Sequence, residues 1–292
     1  MPRSIVVSSG CQTGALGASL AGMLPDDRVA LVVPSASDPA PLREALSSAE
    51  VWVTSVAPPQ VEDQLAAAGS RARVVRVPDI YFPAFHPDIL HVVGPDGRAL
   101  RSAAGDYSSA IVLWGWREGL GADEIRACFT GEVFSILGYT TAWYGSVDPL
   151  RGGFEASAVD FAAWLLPLAR SGVFMLTDNH PSAAALIGLA RLVALELGAD
   201  PGRVDVPWER LIPDGLLATS TVWPVYPEIA EALGVAGSYV WRTPTGALLD
   251  LDTFIERTLD GYRDLDPAAL DLPRLVDDPR FAEALGRRTV AS

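Results

Sequence analysis

Ser4-Ile5-Val6-Val7-Ser8-Ser9-Gly10-Cys11-Gln12-Thr13-Gly14 is the stretch whose reading decides the fold. A short β-branched run ends in a Ser-Gly turn, and Leu16, Leu20 and Leu24 then recur at helical spacing. This is a strand handing over to a helix. The alternation continues outward, with β-branched runs at 28–33, 50–54 and 72–77. Between them lie the apolar stripes Leu42, Ala45, Leu46, Ala49 and Val61, Leu65, Ala68. Strands separated by helices of this length are joined by crossovers, which makes them parallel. Residues 1–80 are therefore predicted to form a parallel α/β lobe with helices on both faces of its sheet.

The pattern changes at Val77-Pro78-Asp79-Ile80-Tyr81-Phe82-Pro83-Ala84-Phe85-His86-Pro87-Asp88, where repeated prolines fix φ and push their predecessors out of the helical region. Beyond this loop, 106–143 and 154–170 read as helix-rich. Residues 181–197 read as one long apolar helix with Pro181 in its first turn, and the tail 227–285 as further helices broken by Gly and Pro. Short strands are expected near 173–177 and 238–242. Residues 81–292 are thus expected to form a mainly helical second lobe that completes a cleft with the first. Trp114, Trp116, Trp143 and Tyr144 read as packing residues.

With 292 residues, 49% of them hydrophobic, the chain has enough apolar material for one large core or two modest ones. A net charge of -14 disfavours nucleic acid and anionic membrane surfaces as partners. All 22 basic residues are arginine, which excludes a Schiff-base or P-loop lysine and leaves phosphate recognition to arginine forks, backbone N–H groups and helix termini. No apolar run reaches the ~18 residues of a membrane span, and the N-terminus lacks the signal-peptide pattern, so the expected compartment is the cytoplasm. The two cysteines, Cys11 and Cys128, are expected to be reduced.

In a parallel sheet the loops beyond the carboxyl ends of the strands form the ligand crevice, and Cys11 belongs to the first of them. A thiol there sits at a helix N-terminus, where the dipole and free N–H groups favour thiolate. The N–H groups of Gln12 and Thr13 are candidate oxyanion donors, and the flanking glycines allow close backbone approach to a phosphate. A free cysteine is otherwise a small buried hydrophobe, the reading that suits Cys128 between Ile125 and Phe129. The spacing completes no Gly-x-Gly-x-x-Gly fingerprint, so a nicotinamide site is not expected. Of three histidines, His86 and His180 precede prolines in loops and are the candidate general bases, against a plain capping or turn role. His91 sits in an apolar run and reads as a satisfied core or strand residue. His86-x-Asp88-x-x-His91 has ligand-like types but no clear fourth ligand, so no metal is expected.

Several short motifs occur in a fixed order: Gly10-Cys11-Gln12, Phe85-His86-Pro87-Asp88, Tyr107-Ser108-Ser109, Glu118-Gly119-Leu120, Leu137-Gly138-Tyr139, Asn179-His180-Pro181-Ser182 and Ile229-Ala230-Glu231-Ala232-Leu233-Gly234. Together, over residues 4 to about 263, they resemble the WcbI family of capsular-polysaccharide biosynthesis proteins. One departure is Ser9-Gly10 before the cysteine, where the family has Gly-Asn. The resemblance implies a Rossmann-like lobe and a helical lobe in a GT-B-like two-lobe arrangement, with coenzyme A or an acyl-coenzyme A bound in the cleft. It also implies acetyl transfer to a hydroxyl of a saccharide. On that reading Cys11, His86 and His180 are the catalytic residues, and Gly10, Gln12, Thr13, Asn179 and Ser182 the cofactor-binding ones. The acceptor is a sugar or natural-product hydroxyl or amine, and an acyl carrier protein is an alternative donor. The competing readings are a glycosyltransferase using a nucleotide sugar and a non-catalytic coenzyme A-binding protein.

Overall fold

The computed structural model describes residues 2–35, 37–94, 96–157, 159–212 and 221–286. The first part of the chain forms β1 (Ser4–Ser8), β2 (Arg28–Leu31), β3 (Val51–Thr54) and β4 (Arg73–Arg76), with α1 (Thr13–Met23), α2 (Ala40–Ser47) and α3 (Pro58–Ala68) as the crossovers. The strands make one parallel sheet in the order β2-β1-β3-β4. Successive side chains alternate between its faces. Val6 and Trp52 point to one side, where Leu42, Leu46 and Val61 of the crossover helices bury them. The indole Nε1 of Trp52 donates to Ser8 Oγ at 2.7 Å, so the largest side chain of this layer is buried without an orphaned donor.

α1 is buried on most of its circumference, and its Gly17 is required by proximity: a Cβ there would stand 2.4 Å from the Leu31 side chain of β2. A helix that is apolar or small on all sides is one with structure on all sides. The helix packing on α1 is contributed much later in the sequence, by α9.

After β4 the order continues with β5 (Ile89–Leu90), β6 (Ser108–Ser109), α4 (Ala110–Arg117), α5 (Ala122–Arg126), α6 (Gly131–Ile136), α7 (Ala142–Glu155), α8 (Phe161–Ser171), α9 (Ala183–Glu196), α10 (Pro201–Val204), α11 (Pro227–Leu233), β7 (Trp241–Arg242), β8 (Leu248–Leu249), α12 (Leu251–Tyr262), α13 (Pro273–Val276) and α14 (Pro279–Gly286). β5 pairs with β6, and β7 with β8, both antiparallel. The chain is thus mixed α/β, with a parallel four-stranded sheet and many helices. Among the described residues no helix is long and apolar enough to cross a membrane.

Several elements differ from the sequence reading. The long helix starts at Ala183 because Ser182 caps it, its Oγ accepting from the Ala185 N–H. Pro181, expected in the first turn, instead forms an isolated bridge with Met175, and that bridge is all that stands for the strand expected at 173–177. The helical stretch expected at 154–170 is divided, because Asp160 caps a new helix through the Ala163 N–H. Tyr144, read as packing, is 80% exposed, whereas Trp143 meets Phe82 and Phe85 edge-on.

Two compact units emerge. The first comprises Met1–Tyr81, Asp148–Met175 and His180–Ala218, and the second Phe82–Val147, Leu176–Asn179 and Thr219–Ser292. The first break falls after Tyr81, and the chain then returns to the first unit twice, bringing α8 and α9 with it.

Candidate functional site

In the first unit the strand order reverses direction between β1 and β3, which makes the carboxyl ends of these two strands the topological switch point where open α/β sheets bind ligands. Cys11 lies there, exposed, in a single 3-10 turn over Gly10–Gln12 that leads into α1. The turn needs Gly10, whose φ of +52° lies in the left-handed region. Thr13 closes it from inside: its Oγ1 donates to the Gly10 carbonyl and accepts from the Ser9 N–H, both at 2.8 Å.

This bonding removes the expected oxyanion donors. The Gln12 N–H donates to the Ser9 carbonyl at 2.9 Å and the Thr13 N–H to the Gly10 carbonyl. The expectation of a thiolate-favouring environment is also reversed. Burial of the sulfur on its protein side and the carboxylate of Asp79 push the Cys11 thiol up, and its own backbone N–H offsets this only in part. Asp79 is held in place by Gln12, whose Nε2 donates to Oδ1 at 2.6 Å.

Three polar atoms on this side of the unit are buried without a hydrogen-bond partner: Ser9 Oγ, Gln12 Oε1 and Arg76 Nε. Register explains their grouping, since Ser8, Thr54 and Arg76 lie on one rung across β1, β3 and β4, and Ser9 and Gln12 follow directly after β1. Buried donors and acceptors are rarely left unpaired, because each costs about 1–3 kcal/mol. An acceptor, a cationic donor and a hydroxyl together fit a ligand that carries both amide and anionic groups.

The remaining sequence candidates divide between the units. His180, in the first, is half-buried. Ser182 is the cap of α9, its hydroxyl turned to the helix N–H groups. His86, in the second unit, is 2% exposed, and its Nδ1 lies 3.4 Å from the Pro224 carbonyl. Asn179 accepts at Oδ1 from the hydroxyls of Tyr107 (2.9 Å) and Thr177 (3.0 Å).

A sequence profile described as polysaccharide biosynthesis enzyme WcbI matches residues 4–202. The chain belongs to the WcbI family. A solved structure, described as native WcbI, a novel polysaccharide biosynthesis enzyme, without a disulfide bond between coenzyme A and one of its cysteines, superposes with a TM-score of 0.74. It covers 99% of both chains at 14% identity, a likeness of fold. No curated protein matches the chain. Membership makes this protein a polysaccharide biosynthesis enzyme by family.

The WcbI motifs acquire physical roles here. Gly10, in the Gly10-Cys11-Gln12 motif, supplies the positive φ on which the turn depends. Asp88, last in Phe85-His86-Pro87-Asp88, is completely buried and anchors α4. Its carboxylate accepts from Ser109 Oγ (2.5 Å), Tyr226 Oη (2.7 Å), the Ile111 N–H (3.1 Å) and Tyr139 Oη (3.2 Å). Burial outweighs these donors and pushes its pKa up to about 6.

His91 departs from its reading as a core or strand residue. It follows the end of β5, its side chain is 46% exposed, and its Nε2 lies 2.7 Å from Oδ2 of Asp178, a carboxylate only 1% exposed. The pairing was not legible from sequence, because the two residues are 87 positions apart and no local pattern connects them.

Proposed function

We propose that the protein transfers an acyl group, acetyl in the simplest case, from a coenzyme A thioester to a hydroxyl or amine of a sugar or natural product. The supporting observation is the exposed Cys11 at the switch point of the sheet, in a turn that also carries the unpaired buried Ser9 Oγ and Gln12 Oε1, with the unpaired Arg76 Nε at the end of β4. Coenzyme A fits this set. Its pantetheine arm carries two amides whose N–H groups suit Gln12 Oε1, and Arg76 Nε suits a carbonyl or phosphate oxygen. The solved WcbI structure, whose description pairs coenzyme A with a cysteine, is in accord with this choice. When bound, the cofactor supplies an activated thioester carbonyl.

The chain's own residues orient and protect it. Gly10, Gln12 and Thr13 form the turn that presents Cys11 next to the thioester sulfur. A raised thiol pKa keeps Cys11 protonated at neutral pH, which favours direct transfer over an acyl-cysteine. A histidine takes the acceptor's proton. Of the two that the sequence suggested, His86 is buried and His180 is the more open. The reading carries with it the GT-B-like pairing of lobes, a cytoplasmic setting, and a carrier protein's phosphopantetheine arm as an alternative donor.

The test is a thermal-shift screen against coenzyme A, acetyl-coenzyme A and nucleotide sugars, followed by intact-protein mass spectrometry with the acyl donor. Saturation with coenzyme A at a hundred times its dissociation constant is expected to stabilise the protein by about 2.7 kcal/mol. No acyl adduct on Cys11 is expected. Stabilisation by a nucleotide sugar alone would replace this proposal with a glycosyl transfer. Stabilisation by coenzyme A with no acylation of any acceptor would reduce the protein to a binding role.

A further inference from the structure

α4 ends in a turn that its own backbone closes. Gly119, at a φ of +77°, donates its N–H to the Trp116 carbonyl at 3.1 Å, and the Leu120 N–H reaches back to the Gly115 carbonyl at 2.9 Å. These carbonyls are satisfied without a side chain, so Arg117 in the last turn is not consumed as a cap. Trp114 and Arg117 stand three residues apart, the spacing that puts two side chains on one face of a helix. Together with residues of α13 and α14, in the same compact unit, they line a cavity of about 440 Å³.

The apolar part of its wall is formed by Leu275, Val276, Pro279 and Ala282, and the donors come from α4. Arg117 is half-buried and has no hydrogen-bond or ion-pair partner for its guanidinium among the described residues. Asp278, which also lines the cavity, does not neutralise it, because both of its oxygens are engaged by the guanidinium of Arg280. Trp114 is only 6% exposed, and its indole N–H has no acceptor among the described residues, whereas those of Trp52, Trp164, Trp208 and Trp223 each have one. Nor is that N–H sealed from solvent, as the Trp241 N–H is. A half-buried cation and a buried donor that share a helix face and lack acceptors weaken the fold unless something accepts from them.

We infer that this cavity binds a small monocarboxylate with an apolar body, of the class of medium-chain aliphatic acids. The carboxylate accepts from the Arg117 guanidinium and the Trp114 N–H, and the chain lies against Leu275, Val276, Pro279 and Ala282. Charge-assisted bonds to a carboxylate are what a guanidinium fork is shaped to make. Glu118, exposed and part of the same lining, repels a second negative charge and so selects against dianions such as phosphate. The volume is that of a small-molecule site, roughly 300–1,000 Å³. None of these residues belongs to the unit that carries Cys11, and the inference is independent of acyl transfer.

The experiment titrates the whole isotope-labelled protein with octanoate and follows its indole N–H signals by nuclear magnetic resonance. There are eight tryptophans, and Trp114→Phe identifies the signal concerned. Octanoate is expected to shift that signal saturably. Octanamide, equally long but uncharged, and inorganic phosphate are each expected to bind about tenfold more weakly or worse. Arg117→Gln is expected to weaken octanoate roughly 10–100-fold, and Ala282→Phe, which fills the cavity and leaves the cation in place, to abolish its binding. The other indole signals report that each variant is folded. A Trp114 signal that ignores octanoate, undiminished affinity in Arg117→Gln, or phosphate binding as tightly as octanoate overturns the inference. Displacement of octanoate by coenzyme A overturns it as well, by assigning the carboxylate to the site already described.

Discussion

Asp88→Asn removes a charge that the fold buries completely, and the size of the effect follows from the carboxyl's position among four donors. In the folded protein its pKa is pushed up to about 6, against an ordinary value of 3.8. Below the lower value the group is protonated in folded and unfolded chains alike, and the native state loses nothing. As pH rises, the unfolded chain releases the proton first, and the folded state becomes relatively less stable until it too ionises near pH 6. A separation of about 2 pH units corresponds to about 3 kcal/mol, roughly 2.5 of it falling between pH 4 and pH 7. Asn carries no titrating proton, so this contribution vanishes in the variant. Urea denaturation of both proteins across that range reads the difference. The gap between them should move in favour of Asp88→Asn by roughly 2.5 kcal/mol on going from pH 4 to pH 7, about 1 M in midpoint for an ordinary urea slope. Parallel stability curves would mean that the hydroxyls of Ser109, Tyr139 and Tyr226 hold the charge as well as water does, and the argument from burial would be wrong.

Two more predictions concern the Cys11 turn. Asp79→Asn removes the carboxylate that helps hold the thiol up, so Cys11 should alkylate faster at pH 7.5 than in wild type, as followed by iodoacetamide labelling and mass spectrometry; an unchanged or slower rate would refute the role of Asp79. Gly10→Ala forces a Cβ into the left-handed region and should cost about 1–2 kcal/mol by denaturation, whereas Gly10→Asn should cost clearly less, because the surrounding space is open and the only obstacle is φ.

How much was legible in the sequence varies with the range of the interaction involved. The four strands at 4–8, 28–31, 51–54 and 73–76 fall inside the runs of β-branched residues, because alternation and helical spacing are properties of neighbouring residues. Cys11 at the mouth of the sheet was legible for the same reason: a strand, a glycine and a helix in succession place it there. Where short-range signals compete, the reading failed. Pro181 has the φ of a first helical turn, but Ser182 next to it offers an oxygen that satisfies the helix N–H groups, and the cap prevailed. His91 sits in an apolar run, yet its side chain is 46% exposed and meets Asp178.

The sequence by itself determined that a parallel sheet forms and that its first loop carries a thiol, since both follow from local backbone preference and the burial of alternating apolar residues. Only the tertiary structure decided the state of that thiol. The helix terminus favours its ionisation, but burial and a carboxylate beyond the fourth strand outweigh that effect. It also decided the partner of His91, because electrostatic and hydrogen-bond energies depend on distances in space, and positions 87 residues apart acquire a distance only when the chain has folded.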